Sequence, residues 1–445
     1  MINERTIVSE LARLESDARE IVSAAISGAS PSVLLERAIR EGALASVDQH
    51  ERVLALACGK ASMPMASTLM SVIGESVHAG LVTVPDDGAI SGSLSPLEVM
   101  VSSHPVPDDR SEAAGRRALE LAHGVREEDL LIVLLSGGAS ALWSVPADGL
   151  TLEHLQQSVT TLLRSGADIE EMNTVRKHIS AIKGGRLAAA AAPGSVVTLM
   201  ISDVAGDDPS TIGSGPTVPD STTYADALHV LERRGGRSAY PNAVVAHLDA
   251  GARGKNEESP GPGDDVFRST EARVIGSNAD ALEAAAKKAS ELEYETVIAP
   301  RPVTGEASDV GRRLAQQLMD TPARRPTCLI WGGESTVKVT GTGRGGRNQE
   351  MALAAVIELS GCARPAVLLS AGTDGVDGPT DAAGAVASSR THMHAKRLGL
   401  DAAAFLANND SNSFFEAAGG LIKTGPTQTN VMDVQIGLIG TGRTD

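Results

Sequence analysis

A recurring unit narrows the possible folds of this chain more than any other feature. A short, continuous apolar run gives way to a turn of small or polar residues and then to helical apolar spacing. Arg52 to Ala57 ends in Cys58-Gly59-Lys60 and is followed by Ala66, Leu69, Met70 and Ile73 on one helical face. Leu130 to Leu135 leads into Ser136-Gly137-Gly138-Ala139-Ser140, and Val196 to Ile201 leads into Ser202-Asp203-Val204-Ala205-Gly206-Asp207-Asp208. Runs that are apolar at every position predict strands buried on both faces, and alternation with helices predicts mainly parallel sheets. Ligands then bind beyond the carboxyl ends of the strands. The polar residues just after each run are therefore the ones to weigh: Lys60, Ser136 to Ser140, Asp203, Glu334 and Asp374.

Other segments fill in the pattern. Ile7, Leu11, Leu14, Ile21, Ala24 and Ala25 predict helix at the start, and Leu152 to about Ala192 predicts helices interrupted near Gly166 and Gly184-Gly185. Strand-like runs return at Ala272 to Ile275, Glu295 to Ala299, Thr327 to Trp331, Thr336 to Val339 and Ala366 to Ser370. Between the two series lies a polar, Gly/Pro-rich tract, which reads as a linker or surface loop. The expected organisation is a first domain over 1–248, the linker or surface loop over 249–266 and a second α/β domain over 267–445. A chain of 445 residues is long enough to need two cores.

Composition limits the partners. The formal charge of −17 argues against a nucleic-acid or anionic-membrane binder, so an anionic substrate requires a locally basic pocket. Cys58, Cys328 and Cys362 are an odd count without metal-ligand spacing, which fits a reduced, cytoplasmic setting. The longest clean apolar run, Leu130 to Leu135, is too short to span a bilayer. Monomer and homodimer both remain open.

Several motifs carry chemistry in one reading and only structure in another. Ser136 to Ser140 is either an anion cradle of backbone N–H groups or a tight turn. Gly341-Thr342-Gly343-Arg344-Gly345-Gly346 satisfies G-x-G-x-x-G between a strand-like run and a helix opening near Asn348. Asp374 comes too late for the acidic partner of a dinucleotide site, and Arg344 and Arg347 bracket the loop, which favours an anion loop over an NAD site. Lys60 is either a phosphoryl contact or a solvated lysine. Asp203 is a Mg²⁺ or hydroxyl ligand or a cap. Asn173 to His178, with Lys183 and Arg186, is an anion pocket or a solvated helix face. The chain contains no G-x-x-x-x-G-K-[ST], no H-R-D with D-F-G, no H-E-x-x-H and no G-x-S-x-G.

The order and wording of these segments resemble the class II glycerate 2-kinases, whose C-terminal part is the MOFRL domain. The resemblance covers nearly the whole chain. It rests on Gly59-Lys60-Ala61, His104-Pro105-Val106-Pro107-Asp108, Ser136 to Ser140, Val175 to His178 with Ile182 to Leu187, Ser202-Asp203-Val204, Gly213 to Thr217, Gly332-Gly333-Glu334, Gly345 to Glu350, Gly372 to Gly375 and Thr424 to Thr427. It implies a Rossmann-like, doubly wound, mainly parallel N-terminal sheet, a MOFRL-type C-terminal α/β domain and an active site in a cleft between them. It also implies MgATP-dependent phosphorylation of D-glycerate at the 2-hydroxyl, with Lys60, Asp203 and Arg347 as catalytic residues. Ser136, Gly137, Gly138, Ser140, Arg176, Lys177, Lys183, Glu334, Gly343, Gly345, Gly346, Asn348 and Asp374 are then candidates for binding substrate or nucleotide. Asp203 and Asp374 are candidates for Mg²⁺, with Asp377 behind them. A hydroxypyruvate reductase using NAD(P) and a non-catalytic phosphometabolite sensor are the competing readings. The wording departs from the family at Ser103, Ala139, Gln428 and Met432.

Overall fold

The computed structural model describes residues 4–86, 94–322 and 324–441. The chain forms two compact units, one of Pro31–Ile275 and one combining Met1–Ser30 with Gly276–Asp445. This division differs from the sequence expectation at both ends of the first unit.

The first unit is built on β1 (Arg52–Cys58), β2 (Val77–Pro85), β3 (Leu97–Ser102), β4 (Asp129–Leu135), β5 (Ser195–Ile201) and β6 (Thr270–Gly276). Their order is β3-β2-β1-β4-β5-β6, and β1 to β5 pair in parallel. Every residue of β4 is buried, as is every residue of β1 after Arg52, which is why both read as unbroken apolar runs. The chain winds outward from β1 to β3 and then returns to β4 on the other side. The connections leaving β1 and β4 therefore diverge and open a crevice at their carboxyl ends. Trp143, 2 % exposed, anchors the core beneath it and donates from Nε1 to Thr83 Oγ1 at 3.0 Å.

The predicted helical stretch resolves into Leu152–Arg164, Ile169–His178 and Arg186–Ala191, with breaks at Gly166 and Gly184-Gly185. Thr151 and Asp168 start the first two as N-caps with reciprocal capping boxes. With Tyr224–Arg233 and Asn242–Ala252 these two helices share a small core of their own around Leu162, Val175 and Leu231. The tract over 249–266 lies inside this unit and is no linker. Asp220 N–H donates to Pro260 O at 2.9 Å, and Arg186 reaches Ser259 Oγ at 3.2 Å. Polar composition marked it as surface, but its hydrogen-bond partners are distant in sequence.

The second unit holds β7 (Glu295–Ile298), β8 (Thr327–Gly333), β9 (Ala366–Gly372), β10 (Gly384–Ser388), β11 (Leu421–Ile422) and β12 (Asp433–Ile439), in the order β11-β10-β9-β12-β8-β7. Only β7 and β8 pair in parallel; the other pairs are antiparallel. The expectation of mainly parallel strands fails here, because an unbroken apolar run reports burial of both faces and not strand direction. Thr336 to Val339 forms no strand beyond a single bridge from Thr336 to Glu306, and Val339 is 73 % exposed. Helices Ala307–Asp320 and Arg347–Leu359 cover the sheet through Leu314, Met351 and Leu353, packed with Trp331 and Leu368.

The N-terminal helix, Glu4–Gly28, belongs to this second unit. Its buried stripe of Leu14, Ala18, Ile21 and Ala25 packs on helix Asn278–Glu291 and on β9 and β12. Thr429 Oγ1 donates to Ala29 O at 2.7 Å just beyond the helix. Among the described residues no helix is long and apolar enough to cross a membrane, and all three cysteines are free.

A tight point of this packing is Gly28, where a Cβ would lie 2.3 Å from the Cβ of Ala284. Gly28→Val is expected to destabilise the chain by about 1–3 kcal/mol through overpacking. Urea unfolding followed by circular dichroism checks it, and an unchanged midpoint would detach the N-terminal helix from this unit.

Candidate active site

Three strand ends of the first unit meet at one turn. β1 ends in Gly59-Lys60, β4 in Ser136-Gly137-Gly138, and β5 in Ser202-Asp203. The turns after β1 and β4 are tied backbone to backbone. Lys60 N–H donates to Gly137 O at 2.8 Å, Ser136 N–H to Cys58 O at 3.1 Å, and Ala61 N–H to Ser136 Oγ at 2.9 Å. Ser136, 2 % exposed, thus holds the β1 turn in place.

Gly137 and Gly138 gather the polar side chains. A Cβ on Gly137 would lie 1.9 Å from Asp203 Oδ2. One on Gly138, whose φ is +87°, would lie 3.0 Å from His104 Cδ2 and 3.7 Å from Lys60 Cγ. Asp203, His104 and Lys60 therefore border the same two glycines. A carboxylate, an imidazole and an ammonium at the mouth of a parallel-sheet crevice can orient a hydroxyl, accept its proton and meet an anionic group. His104 entered the sequence reading through the His-Pro-Val-Pro-Asp segment and was not among the candidate residues of this site. Asp108 of that segment is the N-cap of helix Asp109–His123.

Behind the turn sit two cations. Lys183 is buried and donates from Nζ to the carbonyls of Ser140 at 2.7 Å and Trp143 at 2.8 Å. Burial, and then the charge of Arg176, push its pKa down to about 7. Burial also lowers the pKa of Arg176. Lys177 is in a different place from the one expected of it, since Nζ forms a buried ion pair with Asp220 Oδ1 at 3.2 Å. Adjacent helical residues diverge by about 100°, so Arg176 and Lys177 cannot serve one pocket. Ser140 Oγ lies 2.9 Å from Ser214 Oγ, which donates to Asn173 Oδ1 at 3.0 Å. Sequence had no means of joining these three positions.

In the second unit Arg347 is the first residue of helix Arg347–Leu359. Its Nε and one terminal nitrogen bind Asp433 at 2.6 and 2.8 Å, and the other terminal nitrogen lies 3.0 Å from Glu334. Burial opposes the charge on Arg347, but the hydrogen bonds and charge of Asp433 outweigh it and raise its pKa. The planar fork is thus engaged by a buried carboxylate of the protein, and Asp433 had not been singled out from sequence.

The Gly341 to Gly346 loop has a structural cause. Thr340, Gly341, Thr342, Gly343 and Arg344 all donate their backbone N–H groups to Asn408, Asn409 or Asp410. Cβ atoms on Gly343, Gly345 and Gly346 would collide with Asp410, Ser411 and Asp377. Gly343 therefore has no amide left for an anion, and Gly345 and Gly346 are glycines because the chain packs closely on itself. Arg344 is turned to Asn412 Oδ1, at 2.6 and 3.0 Å. The helix N-terminus is occupied by Asp377, whose oxygens accept from the backbone N–H groups of Asn348 at 3.0 Å and Gln349 at 2.8 Å. Asn348 is fully buried, with its side chain on Asp377 and Ser370, so neither it nor Asp377 is placed as a ligand group. Asp374 shapes the following turn by accepting from Val376 N–H at 3.2 Å. Among the described residues no three His, Cys, Asp or Glu side chains gather to hold a metal ion by themselves. Gln428 and Met432 both take left-handed backbones, with φ of 61° and 66°, where glycine would cost less.

The chain is similar to known proteins over nearly its whole length. Residues 17–249 match DUF4147, a domain of unknown function, and residues 327–433 match the MOFRL family. A D-glycerate 2-kinase of Thermotoga maritima is 40 % identical over 431 residues, which cover 96 % of this chain and 98 % of that one. A putative hydroxypyruvate reductase of Agrobacterium vitis is 38 % identical over 429 residues, covering 95 % and 94 %. A crystal structure of glycerate kinase from Thermotoga maritima superposes with a TM-score of 0.86 at 38 % identity, covering 96 % of this chain and all of that one. The DUF4147 and MOFRL matches in this order, together with relatives aligned nearly end to end, make this chain a member of the class II glycerate 2-kinase family.

Proposed function

We propose that this chain transfers the terminal phosphoryl group of ATP to the 2-hydroxyl of D-glycerate, giving 2-phosphoglycerate and ADP in the cytoplasm. The observation that carries the reading is the meeting of Asp203, Lys60 and His104 at Gly137 and Gly138, at the carboxyl ends of the central strands of a parallel sheet. Phosphoryl transfer asks for positioning and charge neutralisation more than covalent chemistry. Asp203 orients the glycerate hydroxyl and takes its proton as the oxygen–phosphorus bond forms and the bond to the ADP oxygen breaks. Lys60 meets the transferring group. Arg347, with its fork held by Asp433, shares its other terminal nitrogen between Glu334 and an anionic group. Mg²⁺, which commonly rests on one or two carboxylates plus phosphates, would be held by Asp203 or Asp374 and would neutralise phosphate charge.

The reductase reading has little support from local geometry. Its fingerprint loop follows no strand, and the amides that would face a pyrophosphate are spent within the protein. With D-glycerate, ATP and Mg²⁺ the protein is expected to form ADP and a product that enolase uses without a mutase. Hydroxypyruvate should not oxidise NAD(P)H. NAD(P)H turnover without ADP would replace the kinase reading, and a product inert to enolase would move the phosphoryl group to another hydroxyl.

Asp203→Asn keeps the shape beside Gly137 and removes the basic oxygen. Its kcat is expected to fall by about 10²- to 10⁴-fold with the KM for ATP nearly unchanged. Near wild-type turnover would reduce Asp203 to a loop former.

Arginine 347 and its neighbour Arg344 separate a clamp from a structural tie. Arg347→Lys keeps the charge but cannot hold Asp433 and a ligand in one plane, so kcat/KM should lose about 2–4 kcal/mol of transition-state stabilisation. Arg344→Lys loses only its bond to Asn412 and should cost much less. Steady-state kinetics at saturating MgATP distinguishes them, with equal small effects removing Arg347 from the catalytic set.

A further inference from the structure

Arg176 and Lys183 share a cavity of about 450 Å³ in the first unit. Among the described residues neither has a carboxylate partner, and Lys183 is held by carbonyl oxygens alone. A buried lysine beside a partly buried arginine, with no counter-charge, is costly, and an anionic ligand removes that cost. The rest of the cavity is of a different character. Leu155 and Val159 of helix Leu152–Arg164 wall it together with Ile179. At its mouth Val106 is 63 % exposed and Leu163 is 58 % exposed. Large aliphatic side chains left in water beside a cavity mark a surface that an apolar ligand face can cover. The same cavity reaches His104 and Gly138, hence the turn bordered by Lys60 and Asp203.

A ligand matching both halves has a flat or bulky apolar body at one end and concentrated negative charge at the other. D-Glycerate has the charge but no apolar body, and a three-carbon acid would leave most of the space empty. We propose that this cavity is the nucleoside end of the phosphoryl-donor site, with the base and ribose of the nucleotide against Val106, Leu155, Val159 and Leu163 and its phosphates drawn toward Arg176 and Lys183. This inference rests on the kinase reading given above. It assigns the aliphatic wall to the donor and leaves the acceptor at Asp203. Lys183 has a second role within it, since its bonds to the Ser140 and Trp143 carbonyls hold the turn along which the phosphates run.

The test uses the whole chain and the non-hydrolysable analogue AMP-PNP with Mg²⁺, so that binding is read without turnover. Leu163→Glu places a carboxylate on an exposed rim position and should leave folding intact, and Val159→Trp fills the cavity from its wall. Isothermal titration calorimetry should show AMP-PNP binding weakened by about tenfold or more in both variants, while the KM for D-glycerate changes by less than about twofold. Wild-type-like AMP-PNP affinity in a folded Leu163→Glu protein would overturn the assignment. So would a selective rise in the KM for glycerate, which would make the cavity the acceptor site. A change of oligomeric state with AMP-PNP affinity unaltered would also overturn it and make the apolar rim a contact between copies. Failure of the kinase reading has a different signature, namely no ADP from the wild-type protein under any of these conditions.

Discussion

The missing side chain of Gly137 sets the geometry of the turn at which the first unit's candidate groups meet. With Asp203 Oδ2 only 1.9 Å from where a Cβ would stand, any other residue would expel the carboxylate from the turn. A Cβ on the adjoining Gly138 would press on His104 at 3.0 Å, and its left-handed φ of +87° lets the chain enter helix Ala139–Leu142 directly. The β1 and β4 turns are fastened by the Lys60-to-Gly137 and Ser136-to-Cys58 hydrogen bonds. The rigid parallel sheet thus fixes the relative positions of all three strand ends. Pre-organisation of this kind lets a site act without rearranging when charge moves.

Much of this was legible in the sequence, for a definite reason. The strands β1, β4 and β5 are buried over nearly their full length, so they appear as apolar runs, and the residues after them are then chemical candidates by position alone. Lys60, Ser136 to Ser140 and Asp203 were found that way. The strands β2 and β3, which flank the crevice from outside, were not read, because Val77–Pro85 and Leu97–Ser102 carry His78, Glu98 and other polar residues. Strand direction in the second unit was equally invisible, since burial on both faces looks the same in parallel and antiparallel pairs. Side-chain chains that cross the sequence, such as Ser140 to Ser214 to Asn173, leave no local trace at all.

The Gly341 to Gly346 loop shows how one wording can have two physical causes. Glycines are needed wherever backbone approaches something closely, and a phosphate is only one such neighbour. Here the neighbour is the segment from Asn408 to Ser411, whose side chains and carbonyl take the loop's amides one after another. The Asp377 carboxylate then fills the place at the helix N-terminus that an anionic ligand would otherwise take. The motif is therefore the means by which the loop is made rigid, and the residue it presents is the one immediately after it, Arg347.

That presentation explains why a buried carboxylate stands on β12. Asp433 is wholly removed from solvent, and leaving it ionised without a partner would be costly. The bidentate bond to Arg347 offsets the cost and fixes the guanidinium plane against the sheet, so a flexible side chain becomes a rigid extension of β12. A fork spent in this way has less to offer a ligand directly, and its last nitrogen lies 3.0 Å from Glu334, so the whole guanidinium is held in one orientation before any ligand arrives. For a reaction whose barrier is lowered chiefly by placing positive charge correctly, direction counts for more than the number of hydrogen bonds. The buried pair is best understood as an investment in orientation, since replacing both partners by apolar residues would preserve the packing and lose only the aimed charge.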